Sequence, residues 1–132
     1  MDEEARTLTI RGEVDRPIVL RYEELLALPA IERRVPMTCA GGGVSDTVMT
    51  GVPLTQVFDL AMVRETARLA VFACSDGHEE TIPLAELIQQ EAFLAYRVEG
   101  EEEEERGSHL RLSIPGKLGS KWAKWVHRID LV

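Results

Sequence analysis

Thr38-Cys-Ala-Gly-Gly-Gly43 is the stretch that decides the fold, because a predicted strand ends there on a cysteine that three glycines follow. Residues 32–38 form the predicted strand, and the glycine run predicts a loop with a permissive backbone. Such a loop lets the backbone approach a ligand closely, and its N–H groups can bind an anion in a concave nest. From these residues alone, Cys39 is either a ligand in such a site or a buried structural cysteine.

Several common kinds of site lack their motifs in this chain. The cysteines and histidines (Cys39, Cys74, His78, His109 and His127) contain no C-x-x-C or H-x-x-x-H pair of the type used by zinc sites. The glycine run matches neither a P-loop nor a dinucleotide fingerprint, and no local signature supports a Cys/His protease dyad. Cys74 follows an apolar run and is predicted to pack in the core. His78 and His109 fall in predicted surface loops.

Charge and hydropathy together predict a cytoplasmic protein. The chain has 132 residues and a net charge of −8, with 23 acidic against 15 basic residues, which argues against nucleic-acid binding. No apolar run approaches the roughly 20 residues of a membrane-spanning helix, and the acidic start lacks a secretion signal. We therefore expect no membrane partner, and two reduced cysteines. Five glutamates at 101–105 predict a solvated loop, whereas five basic residues crowd the last sixteen positions (Lys117, Lys121, Lys124, His127 and Arg128).

Hydrophobic periodicity predicts an α+β fold, with a mixed β-sheet and short helices on the connections. The predicted strands cover residues 6–11, 18–20, 32–38, 68–73, 93–98, 110–115 and 126–132. Helices are predicted at 22–28, 54–64 and 84–90, with a turn of helix around 121–125. Gly51-Val-Pro-Leu54 predicts a break between elements. No internal repeat or linker interrupts the pattern, so residues 1–132 are predicted to form a single domain.

Six segments in register along almost the whole chain carry a resemblance. They are Gly12-Glu-Val-Asp-Arg-Pro-Ile-Val-Leu20 with Glu23-Glu-Leu-Leu-Ala-Leu-Pro29; Val35-Pro-Met-Thr-Cys-Ala-Gly41; Gly51-Val-Pro-Leu-Thr-Gln-Val-Phe58; Phe72-Ala-Cys-Ser-Asp-Gly77 with Thr81-Ile-Pro-Leu84; Phe93-Leu-Ala-Tyr96; and Leu110-Arg-Leu-Ser-Ile-Pro-Gly116 with Gly119-Ser-Lys-Trp-Ala-Lys-Trp-Val-His-Arg-Ile129. In this order they resemble the molybdopterin-binding domain of sulfite oxidases, plant nitrate reductases and bacterial methionine sulfoxide reductase catalytic subunits. The resemblance implies the sulfite-oxidase-type fold.

The resemblance also implies a site. The thiolate of Cys39 would be the molybdenum ligand and the catalytic residue, beside the dithiolene of one molybdopterin, and a soft thiolate suits such a metal. Four further residues would meet the pterin phosphate: Arg111, Ser120, Lys121 and Lys124. The implied reaction is two-electron oxygen-atom transfer on a small oxyanion or sulfoxide. An external electron partner is implied because the chain has no haem or iron–sulfur motif.

Three departures from the family pattern support an alternative function. Gly43 and Val44 stand where sulfite oxidases carry substrate-binding arginines, and Glu99 stands where an asparagine is usual. The pterin-gripping segment that lies upstream in family members has no counterpart in these residues. The alternative is therefore a non-catalytic binding or scaffold domain that kept the fold and lost the cofactor, and the sequence is compatible with either function.

Overall fold

The computed structural model describes residues 7–38, 44–74, 77–98, 110–114 and 126–132, with the side chains of 35–38, 44–47 and 98 excepted. Nine strands and three short helices lie within these ranges. The strands are β1 (Thr7–Gly12), β2 (Ile18–Arg21), β3 (Ile31–Thr38), β4 (Val44–Pro53), β5 (Leu69–Cys74), β6 (Glu79–Pro83), β7 (Phe93–Val98), β8 (Arg111–Ser113) and β9 (Val126–Leu131). The helices are α1 (Tyr22–Leu26), α2 (Leu54–Ala61) and α3 (Leu84–Gln89).

These strands form two sheets. A five-stranded sheet has the order β2-β1-β9-β5-β6, and a four-stranded sheet has the order β3-β4-β7-β8. Among the described strands, every pairing is antiparallel except that of β1 with β9, in which Thr9 lies opposite Arg128 and Gly12 opposite Leu131. Strand β9 therefore lies in the middle of its sheet, between the first strand of the chain and β5.

Buried apolar side chains from both sheets and all three helices form one cluster. Its largest fully buried members are Leu8, Ile10, Leu25, Met49, Leu54, Phe72, Leu87, Phe93, Leu94, Leu112, Ile114 and Ile129. Burying side chains of this size is the main force that holds the strands together, at roughly 1.5–3 kcal/mol for each large apolar side chain. Cys74 belongs to this cluster, with 4% of its surface exposed, which confirms its predicted packing role.

The helices predicted at 22–28, 54–64 and 84–90 are confirmed, and each ends a little earlier than expected. Helix α2 buries Leu54, Val57, Phe58 and Ala61, the apolar stripe that predicted it. It stops at Ala61 because Met62 adopts a left-handed backbone conformation with φ of 55°, which cannot continue a right-handed helix.

Two strands were missed by the sequence pattern. The break predicted at Gly51 was wrong: strand β4 continues through this glycine to Pro53, with an irregular register between Thr50 and Gly51. Only glycine fits here, since a Cβ atom would lie 2.1 Å from the carbonyl oxygen of Leu94. Strand β6 was missed because it is largely exposed, with a burial pattern that lacks a fully buried position.

His78 is exposed, as predicted, and its Nε2 lies 3.4 Å from Glu80. The glycine loop at 41–43, the glutamate run at 101–105, the helical turn at 121–125 and His109 fall outside the described residues. Among the described residues, no helix has the length and apolar content needed to cross a membrane.

Candidate functional site

Strand β8 carries the predicted phosphate ligand Arg111. The side chain is half-buried, and its backbone lies opposite Ala95 of β7. Because successive side chains in a strand point to opposite faces, Arg111 and Ser113 share one face while Leu112 lies on the other. Leu112 is fully buried in the core, which fixes the register of this short strand and therefore the face on which Arg111 lies.

A backbone hydrogen bond links this strand to the end of the basic C-terminal segment, by which we mean positions 115–125 with Lys117, Lys121 and Lys124. The amide of Val126 donates to the carbonyl oxygen of Leu110 at 2.9 Å. Leu110 immediately precedes Arg111, and Val126 begins β9. The chain leaves β8 after Ser113, and at Val126 it is bonded again to Leu110, the residue next to Arg111. The intervening positions 115–125 contain Ser120, Lys121 and Lys124, which themselves lie outside the described residues.

Cys39 also lies outside the described residues, but the two strands on either side of it are described. Thr38 ends β3 directly opposite Val44, the first residue of β4. Positions 39–43 therefore connect two antiparallel strands that are paired to their last residues. The predicted strand that leads to Cys39 is confirmed up to Thr38.

The strand register shows how this hairpin is placed relative to Arg111. Arg111 lies opposite Ala95, Ala95 opposite Gly51, and Gly51 opposite Ile31, so these residues share one row of the sheet. Thr38 lies seven residues beyond Ile31, which is about 23 Å further along β3. The strands alone do not bring the start of the 39–43 connection beside Arg111.

Arg128, another residue of the basic C-terminal cluster, is already paired. Its guanidinium lies 3.1 Å from Asp130 and 3.4 Å from Glu79. Asp130 also binds Arg11 of β1 at 2.6 Å. These half-buried and exposed charges lie across the surface of the five-stranded sheet. We therefore assign Arg128 to the sheet surface rather than to an anion site.

Ser113 is a feature that the sequence did not single out. Its side chain is fully buried, and its hydroxyl has no hydrogen-bond partner among the described residues. Such orphaned groups are rare because each costs about 1–3 kcal/mol of desolvation. The alternating pattern of residues 110–115 places Ser113 on the Arg111 face, but nothing in that pattern shows that the hydroxyl lacks a partner there.

The described residues fit the anionic end of a cofactor. A half-buried guanidinium lies on β8, and the hydrogen bond from Val126 returns the basic segment to the residue beside it. Arginine suits phosphate because its planar fork can donate two hydrogen bonds to one group. Within the described ranges, no three His, Cys, Asp or Glu side chains converge as metal ligands.

Comparison with protein families shows which family the chain belongs to. The family model described as the oxidoreductase molybdopterin binding domain matches residues 1–132. The chain belongs to this family. The family predicted from the sequence segments is therefore confirmed.

Several oxidoreductases are similar to this chain over nearly its whole length. The uncharacterized oxidoreductase YuiH of Bacillus subtilis is 31% identical over 125 residues, which cover 93% of this chain and 63% of YuiH. An NADH nitrate reductase of Volvox carteri is 25% identical, covering 94% of this chain and 18% of that protein. A putative protein-methionine-sulfoxide reductase subunit YedZ1 of Azospira oryzae is 26% identical, covering 92% of this chain and 47% of that protein.

A solved structure shares the fold. The crystal structure of the sulfane dehydrogenase SoxCD from Paracoccus pantotrophus matches with a TM-score of 0.82 and 22% identity, covering 99% of this chain and 39% of that chain. Together with the family model, this match confirms the predicted α+β fold of the sulfite-oxidase type. The chain thus spans less than two thirds of the length of each of these three relatives and of the solved chain.

Proposed function

We propose that this molybdopterin-binding domain serves in a molybdenum-dependent oxidoreductase, with Cys39 as the molybdenum ligand and catalytic residue. The observation that carries the proposal is the hydrogen bond between Val126 and Leu110, which ties the basic segment to the strand of Arg111. Arg111 on β8 and the lysines of the basic segment are cations, and cations brought together in this way suit the phosphate of a pterin cofactor. Membership of the family over residues 1–132 supports the same conclusion.

Cys39 is proposed to hold the metal through its thiolate. A thiolate is a soft ligand, and soft ligands suit a redox-active metal that is also bound by dithiolene sulfur. Metal binding keeps a thiol deprotonated, so the sulfur would carry no proton in the loaded protein. The three glycines after Cys39 would let the backbone approach a bound cofactor closely, because glycine has no Cβ atom.

Four residues are proposed to hold the phosphate end of the cofactor: Arg111, Ser120, Lys121 and Lys124. The guanidinium of Arg111 would orient the phosphate through paired hydrogen bonds, whereas the lysines would contribute compact charges. The Ser120 hydroxyl would donate a further hydrogen bond. These groups bind and orient; the molybdenum cofactor, when bound, supplies the two-electron oxygen-atom chemistry.

The substrate class that we propose is a small oxyanion or a sulfoxide, with electrons exchanged through an external partner. Residues 1–132 are proposed to act as one cofactor-binding domain. We propose a cytoplasmic location, and neither a nucleic acid nor a membrane as partner, because the net charge is −8 and the sequence contains no apolar run of membrane-spanning length.

The test is a metal and pterin analysis of protein made in a host that synthesises molybdopterin. We expect stoichiometric molybdenum and pterin in the wild type, and loss of molybdenum in Cys39→Ser. Cys74→Ala is the matched control, because Cys74 is buried in β5 and has no proposed role in the site. It should fold and retain the metal.

A wild-type protein without molybdenum, under conditions that load another member of the family, would overturn the proposal. The non-catalytic scaffold function would then be the better account of the chain. Retention of molybdenum by Cys39→Ser would leave cofactor binding in place but remove Cys39 from its proposed role as the ligand.

A further inference from the structure

A groove between helices α2 and α3 forms a second surface with a defined chemistry. It consists of two adjoining depressions of 330 and 590 Å³, which share Thr55 of α2 and Ile88 of α3. Both volumes lie within the range of about 300–1,000 Å³ that is common for binding pockets. We call this surface the α2–α3 groove. It includes neither Cys39 nor Arg111, so a ligand of the groove could bind whether or not the cofactor is present.

Apolar side chains that are partly open to solvent line the α2–α3 groove. Ile88 is 51% exposed and Met62 is 49% exposed, although both are large apolar side chains. Phe58 and Leu84 line the same depression as Met62. Single exposed apolar residues are normal, but several that line one groove together offer a surface for contact.

Met62 is held in this position at a conformational cost. Its φ of 55° lies in the left-handed region that favours glycine, and a residue with a Cβ atom is strained there. Glycine would end helix α2 equally well. The methionine instead adds a flexible apolar side chain, of the kind that adapts to varied partners, to the wall of the groove.

The rim of the groove is acidic. Four carboxylates and two guanidinium groups line the two depressions, which gives a net charge of −2. Arg64 is already bound to Asp15 at 2.8 Å, and this hydrogen bond, together with the charge of Asp15, raises the pKa of Arg64. Over the described part of the chain, the carboxylates of Asp59, Glu65 and Glu91 have no ion-pair partner.

We propose that the α2–α3 groove docks a protein segment that presents apolar side chains flanked by lysine or arginine. The apolar side chains would enter the two depressions, and the cationic groups would meet Asp59, Glu65 and Glu91. Charge complementarity of this kind steers association and suppresses wrong partners. A symmetric dimer through the groove is disfavoured, because it would place the same acidic rim against itself.

The test uses a fluorescently labelled peptide of leucine and lysine, with the leucines at helical spacing, and a matched peptide with glutamate in place of lysine. Fluorescence anisotropy should show that the cationic peptide binds the full chain at least about tenfold more tightly than the acidic peptide. In the variant Glu65→Gln/Glu91→Gln, which removes one carboxylate from each depression, binding should weaken by about fivefold or more.

Two matched variants separate the groove from general attraction to an acidic protein. Glu23→Gln/Glu32→Gln removes the same charge from exposed sites outside the groove and should leave binding unchanged. Ile88→Ser should weaken binding by about tenfold, whereas Val19→Ser, at a residue that is 61% exposed on β2, should not. Equal binding by the wild type and all of these variants would place the peptide elsewhere and overturn the proposal, as would equal binding of the acidic peptide.

Discussion

Val126 and Leu110 are joined by a backbone hydrogen bond of 2.9 Å, and this bond connects a strand of one sheet to the residue that precedes a strand of the other. Val126 also lies opposite Cys74 at an irregular point of the β5–β9 ladder. Val126, which follows positions 115–125, and Ile114, which precedes them, both belong to the buried core. An anion bound between these positions and β8 would therefore contact two parts of the chain that end at well-packed residues.

Replacing Arg111 with methionine should weaken cofactor retention. A hydrogen bond to a charged group contributes about 1.5–3 kcal/mol, so removal of the guanidinium should lower affinity by about 10- to 100-fold. Pterin released from purified protein, measured by fluorescence after oxidation, checks this. Arg68→Met is the control, because Arg68 is exposed and lies at the other sheet. Equal pterin content in both variants would remove Arg111 from the phosphate site.

Replacing Gly51 with alanine should destabilise the four-stranded sheet. A Cβ atom there would lie 2.1 Å from the carbonyl oxygen of Leu94 and 2.6 Å from the Cα of Ala95, and backbone atoms cannot move aside as a flexible side chain can. We expect a loss of about 2–3 kcal/mol in the free energy of unfolding, measured by urea denaturation.

Gly77→Ala is the control for that variant. Gly77 has a φ of 92°, but a Cβ atom there would meet no atom of the described residues within 4 Å. The free energy of unfolding of Gly77→Ala should therefore fall by about 1 kcal/mol, from the strained backbone conformation alone. A smaller loss for Gly51→Ala than for Gly77→Ala would contradict the close approach of β4 and β7.

Replacing Ser113 with alanine should leave the protein as stable as the wild type or more stable by about 1 kcal/mol, because it removes a buried hydroxyl that has no partner in the described part of the chain. Leu112→Ala, at the adjacent core residue, should cost about 2–5 kcal/mol. Denaturant titrations of both variants make the comparison. A clear loss of stability in Ser113→Ala would show that the hydroxyl does make a hydrogen bond.

Replacing Asp130 with asparagine should weaken the pairing of β9 with its neighbours. Asp130 accepts hydrogen bonds from Arg11 at 2.6 Å and from Arg128 at 3.1 Å, and its side chain is 21% exposed. We expect a loss of about 1 kcal/mol after allowance for solvent screening. The loss should shrink in 1 M salt, where the screening length falls to about 3 Å. Asp59→Asn, at an exposed carboxylate without an ion-pair partner among the described residues, should show neither effect.

The sequence predicted those elements whose pattern is complete within a few neighbouring residues, and it missed those that depend on distant pairings. Strand β7 was predicted with its observed bounds, and helix α2 was predicted from its apolar stripe, because both patterns are complete within a few residues. Strand β4 was missed because Gly51 and Pro53 usually interrupt strands. Its continuity depends on the irregular pairing with β7, which lies more than forty residues away and leaves no mark near Gly51.

The candidate site was predictable in parts. Arg111 lies on a strand, as the alternation of residues 110–115 indicated. Its nearness to Val126 depends on a contact between two sheets, and no local pattern encodes such a contact. The acidic rim of the α2–α3 groove was invisible for the same reason: Asp59, Glu65 and Glu91 look like ordinary solvated residues until the two helices are placed side by side.

The parallel pairing of β1 with β9 has a consequence for how the chain folds. Arg11 and Asp130 are 119 positions apart, and closing a loop of that length costs about 4 kcal/mol in chain entropy. The β1–β2 and β5–β6 hairpins can form early from nearby residues, but β9 must be synthesised before it can join them. Until then, the edges of β1 and β5 that β9 will cover are unpaired. We expect these edges to be the points at which an incomplete chain aggregates.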